Sequence, residues 1–99
     1  MWINLDLDNV INLLKKKGFS DTYNILLKFK NYTVELHEFY KELNKISNYN
    51  SFLRIKEKLL QKNLINIHKS KNKKYISLTE LGIKVYNKLI ELNDILAKN

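Results

Sequence analysis

The stretch SFLRIKEKLLQKNLINIHKSKNKKYISLTELG, residues 51–82, decides the fold, because its hydrophobic period changes twice. Phe52, Ile55 and Leu59 recur at i, i+3 and i+7, the spacing of one helical face. From Ile65 onward apolar and polar residues alternate: Ile65 and Ile67 with Asn66 and His68, then Ile76 and Leu78 with Ser77. A period of two belongs to strands. The SKNK between them is a turn in which Asn72 tolerates a positive φ. Thr79 then caps a last helix over about 80–97. Leu81, Val85, Leu89, Leu92 and Leu96 line one face of it, and Ile83, Tyr86 and Ile90 another, about 140° round. The stretch predicts a helix, a β-hairpin over 64–78, and a second helix.

Upstream, the same reasoning predicts a mostly helical chain, since there is no proline and only two glycines interrupt it. Asp8 caps a short helix, NVINLLKKKG, with Lys15, Lys16 and Lys17 in its last turn, interacting with the helix dipole, and Gly18 as its stop. Ser20 and Asp21 open a second helix over 20–31. YTVEL, 32–36, has β-branched and aromatic content and reads as extended. HEFYKEL, starting at His37, is a short helix, and NKISNYN, 44–50, a turn. Ninety-nine residues make one domain with a small core: an N-terminal extension at 1–19, a central unit at 20–78, and the C-terminal helix at 79–97. The class is α+β, mainly α with a small hairpin.

The formal charge of +8 is concentrated. Residues 45–75 hold eight lysines and Arg54 against one acid, Glu57, a net of +8, while the remaining nine lysines and nine acids cancel. A polyanionic partner accounts for such clustering; general solubility does not require it.

The order of elements and three segments resemble the small winged helix-turn-helix regulators of the MarR, ArsR and PadR kinds, and the small winged-helix proteins of archaeal viruses and plasmids. HEFYKEL resembles the positioning helix, SFLRIKEKLLQKNLI the recognition helix entering the first wing strand, and YISLTELG the end of the wing running into a dimerisation helix. The resemblance implies a homodimeric, sequence-specific regulator of transcription that binds double-stranded DNA.

The residues make a physical case beside it. The major groove, about 12 Å wide, admits an α-helix, and the helix at 50–62 has a polar, cationic outer face opposite its apolar stripe. Asn50, Ser51 and Arg54, near its N-terminus, are the candidate base contacts. Arg54, the only arginine, matches guanine O6 and N7 bidentately. Lys58 and Lys62, with His68, Lys69, Lys71, Lys73 and Lys74 of the wing (68–75), are candidate contacts to the backbone or minor groove. The second apolar stripe of the last helix, Ile83, Tyr86 and Ile90, together with Trp2, is the candidate dimer interface. Ile3, Val10, Ile11 and Leu14 are candidate additions to it. The alternatives are an architectural protein that coats DNA with little sequence preference, and a winged-helix module that recruits a protein.

No cysteine is present and the two histidines, His37 and His68, lie far apart, so neither a metal site nor a disulfide is expected. There is no glycine-rich phosphate loop and no triad-like arrangement around Ser51, so an enzyme is the weakest class and no cofactor is expected. With no signal peptide and no long apolar run, a cytoplasmic protein without membrane association is expected.

Overall fold

The computed structural model describes residues 7–46 and 49–98. Five helices surround a three-stranded antiparallel sheet. In chain order these are α1 (Leu7–Lys15), α2 (Lys17–Leu26), a 3-10 turn (Lys30–Tyr32), β1 (Thr33–Glu35), α3 (Leu36–Ile46), α4 (Tyr49–Gln61), β2 (Ile65–Ser70), β3 (Lys73–Leu78) and α5 (Glu80–Ala97). The central strand is β3, with β1 and β2 on either side.

The first helix boundary departs from the sequence reading. α1 ends at Lys15, Lys16 is extended (φ −67°, ψ 130°), and α2 starts at Lys17. Gly18 is therefore inside a helix and not a stop. It is buried, and a Cβ there would overlap the Ser51 carbonyl oxygen, so glycine is what lets α2 lie against the start of α4. Asp21 likewise does not open a helix: it is buried in α2, with one oxygen 3.4 Å from Lys17 Nζ. The predicted turn at 44–50 is also shorter than expected. α3 continues to Ile46 and α4 begins at Tyr49, so only residues 47 and 48, outside the described residues, separate them.

Downstream, the local chemistry explains each joint. α4 ends in a Schellman arrangement, with Asn63 at φ 61°, its N–H donating to Leu60 O, and Leu64 N–H donating to Leu59 O. The hairpin pairs Ser70 with Lys73, leaving a two-residue loop in which Lys71 and Asn72 have φ 50° and 68°. These are the positive angles of a type I′ turn, whose twist suits the strands. Thr79 caps α5 by accepting from Gly82 N–H at 2.9 Å. Gly82 packs on Leu64, where a Cβ would overlap the Leu64 carbonyl oxygen, and its own carbonyl accepts from the Tyr23 hydroxyl at 2.9 Å. One hydroxyl thus ties α2 to the start of α5.

The core lies between α2, α3, α4 and the sheet. Phe39, Phe52, Ile25, Leu26, Leu43, Leu59 and Ile76 are fully buried. Phe39 and Phe52 meet edge to face at 4.9 Å, which locks α3 to α4. Only the first half of α5 packs on this core, through Ile83, Val85, Tyr86 and Leu89. From Ile90 on, every described residue of the helix is exposed. No described helix is long and apolar enough to cross a membrane.

Candidate nucleic-acid interface

α4 presents two surfaces of opposite character. Phe52, Ile55 and Leu59 are buried, while Asn50, Leu53, Arg54, Glu57, Lys58 and Gln61 are exposed. The outer face can therefore meet another macromolecule without uncovering the core. Ser51 is half-buried because its backbone lies against Gly18. Leu53, 39% exposed among polar neighbours, escaped the sequence reading. It sits off the apolar stripe, and only its exposure in the fold reveals it as an apolar group on the outer face.

The hairpin carries its cations beyond the core. Ile65, Ile76 and Leu78 anchor its base, while His68, Lys69, Lys71, Lys73 and Lys74 are all exposed. The register sets Lys69 directly opposite Lys74, and His68 opposite Tyr75 with the rings stacked 5.7 Å apart. Two like charges facing each other across strands are destabilising, so the tip holds unfavourable charge that an anion would relieve.

The start of α4 and the hairpin tip share one neighbour. Tyr40 of α3 borders a hollow with Asn72, Lys73 and Lys74 of the hairpin and with Glu35 and His37. The same ring lies edge-on to Tyr49 at 5.3 Å and to Phe52 at 6.0 Å. Burial, and then the neighbouring Tyr49, push the Tyr40 hydroxyl above the usual phenol range. Lys73 reaches Glu35 at 3.9 Å, a long and exposed contact of little worth. Of the nine cations in 45–75, only Lys45 and Lys73 have a carboxylate within 4 Å among the described residues. The others have little local counter-charge.

On its other flank α4 faces α1. Arg54 and Lys58 border a polar cleft of about 410 Å³ together with Asn9, Asn12 and Lys16. Lys62 borders a separate, apolar groove of about 220 Å³ with Val10, Leu13, Leu14 and Val85. Among the proposed interface residues, Ile83 and Tyr86 are half-buried on the chain's own core, Tyr86 stacking on Tyr23 at 6.2 Å. Ile90 is exposed, and Trp2 and Ile3 lie outside the described residues. The open apolar surface of α5 is instead Leu81, Ile90, Leu92, Ile95 and Leu96. Among the described residues no group of histidines, cysteines and acids could hold a metal ion.

Compared with known proteins, the chain matches no family model, no curated protein and no solved structure.

Proposed function

We propose that this chain is a winged helix-turn-helix protein that binds double-stranded DNA as a homodimer and regulates transcription. α4 enters the major groove, and the β2–β3 hairpin is the wing. The observation that carries the reading is the juxtaposition about Tyr40. Tyr40 borders Asn72, Lys73 and Lys74 of the hairpin and meets Tyr49 at the start of α4, which supports reading the hairpin tip and α4 as parts of one surface. The strand order β1-β3-β2 and the helix order α2, α3, α4 support the fold assignment.

In this arrangement Asn50 and Arg54 read base edges, with Leu53 against a thymine methyl. Lys69, Lys71, Lys73 and Lys74 contact phosphates as point charges on flexible stems and carry little sequence information. The dimer forms through the exposed second half of α5, where Ile90, Leu92, Ile95 and Leu96 lie off the core. Two copies of α4 about 34 Å apart then read a palindrome.

The test is retention of labelled duplexes containing the chain's own promoter, with competitor DNA, over a salt series. With about three to five phosphates neutralised per subunit, log K against log salt should fall with a slope of roughly −5 to −9 for the dimer. Retention that survives competitor supports a regulator. Uniform retention across sequences supports a DNA-coating protein, a reading favoured by the predominance of lysine over a single arginine. No retention at low salt contradicts both.

A further inference from the structure

The cleft between α1 and α4 adjoins the surface built from α4 and the hairpin and adds residues of the N-terminal segment to it. It is floored by Leu13 and Ile55 and walled by Asn9, Asn12 and Lys16 on one side and Arg54 and Lys58 on the other. The spacing is regular on both sides. Asn9 and Asn12, at i and i+3, share a face of α1 with Lys16 just past its end, and Arg54 and Lys58, at i and i+4, form a row along α4. Among the described residues no carboxylate lines the cleft. Among the described residues Lys16, Arg54 and Lys58 have no ion-pair partner within 4 Å. Three cations on one recess repel each other until an anion enters, and the Asn12 amide beside them supplies a further hydrogen-bond donor.

We propose that this cleft is a second phosphate-binding site, in which Lys16 and Asn12 of the N-terminal segment act together with Lys58, at the edge where Arg54 turns to the bases. Its position identifies the phosphate's source. Tyr49 marks the flank of α4 that faces Tyr40 and the hairpin. Lys58 lies nine residues on, about 180° round the helix at 100° per residue. A helix seated in the major groove has a phosphate backbone on each side. The hairpin meets one strand, and the cleft meets the other. α1 is then one arm of a clamp, and Lys16 serves DNA, not only its own helix end. The identification of the phosphate as duplex backbone rests on the DNA-binding reading; the site itself rests on the cleft.

The full chain distinguishes the two. Anisotropy of a labelled 20-base-pair duplex is measured over a potassium chloride series for the wild type, Lys16→Gln, Asn12→Ala and the control Lys84→Gln on α5. Lys16→Gln should weaken binding about three- to tenfold at low salt and reduce the magnitude of the salt slope by about 1 per subunit. Asn12→Ala should weaken binding without changing the slope, and Lys84→Gln should do neither. In parallel, pyrophosphate is titrated while the side-chain resonances of Asn12 and Arg54 are followed by NMR. If the duplex does not bind but pyrophosphate moves both resonances, the site takes a free phosphate and only the DNA reading fails. The same free-phosphate assignment follows if the duplex binds, both variants match wild type and pyrophosphate still moves the resonances. If both variants keep wild-type duplex affinity and slope and pyrophosphate moves neither resonance, the proposal is overturned while the α4–hairpin surface stands. If the duplex does not bind and pyrophosphate moves neither resonance, both fall.

Discussion

Two glycines and a tyrosine carry much of the packing at the level of single residues. Gly18 lets α2 approach the Ser51 carbonyl, and the obstacle to a side chain there is backbone that cannot swing aside. Gly18→Ala should therefore destabilise the fold by about 2–3 kcal/mol, read as a lower urea midpoint at unchanged slope. Nothing in the local sequence KKKGFSD distinguishes a glycine that ends a helix from one that admits a neighbouring helix, and for that reason its role was illegible. Tyr23 contributes through a hydroxyl buried in the core. Burial pushes its hydroxyl up to about 12. The folded state thus keeps the phenol proton where the unfolded chain, near 10, has lost it. This stabilisation is fully present below pH 10 and is lost as pH rises toward 12, by up to about 3 kcal/mol. Thermal melts from pH 9 to 12 should show that decline. Tyr23→Phe should flatten it while costing about 1 kcal/mol at neutral pH, through loss of the bond to Gly82. At the proposed interface, Arg54→Ala should relax sequence preference and cost about 1–3 kcal/mol, whereas Lys73→Ala should weaken all duplexes about equally. Competition binding with single-base variants of a retained site separates these two behaviours.

The elements divide according to whether their signals are local. α4, the hairpin and α5 were legible because Phe52–Leu59, Ile65–Leu78 and Thr79 each declare a period or a cap within a few residues. The break at Lys16 was not, because no proline or cap residue marks it and it exists to let α2 turn onto α4. The two stripes of α5 were seen, but their partners were not. Ile83 and Tyr86 pack on the chain's own core because Gly82, between them and Leu64, sets which side of α5 faces inward. A sequence reading counts stripes without knowing that rotation. The cleft was missed for a similar reason: Lys16 and Arg54 are 38 residues apart, and only packing brings their helices together. The hairpin turn offers a test at this scale. Lys71 and Asn72 both hold positive φ, and glycine is the preferred second residue of a type I′ turn. Asn72→Gly should raise stability by about 0.5–1 kcal/mol, visible as a higher Tm, without altering the charge of the tip.

At the scale of the molecule, the clustered charge and the overhanging end of α5 are the two features of the surface that call for partners. Most cations of residues 45–75 lie on α4 and the hairpin, and among the described residues the second half of α5 exposes a run of four large apolar residues, Ile90, Leu92, Ile95 and Leu96. A chain with an overhanging apolar helix gains by burying it. Sedimentation at micromolar concentration should therefore give a dimer, and Leu92→Lys with Ile95→Lys should give a monomer that is still folded, since neither residue touches the core. The central claim is narrower than the dimer: α4 and the hairpin act as one DNA-binding surface. The most direct measurement is an NMR titration of the labelled chain with a 20-base-pair duplex at low salt, following backbone amides. The account predicts that residues 50–61 and 68–75 shift together, with a common apparent affinity, while the second half of α5 is unmoved by the DNA. Shifts confined to the hairpin, shifts of α4 and the hairpin at unrelated DNA concentrations, or no shifts at all would contradict it.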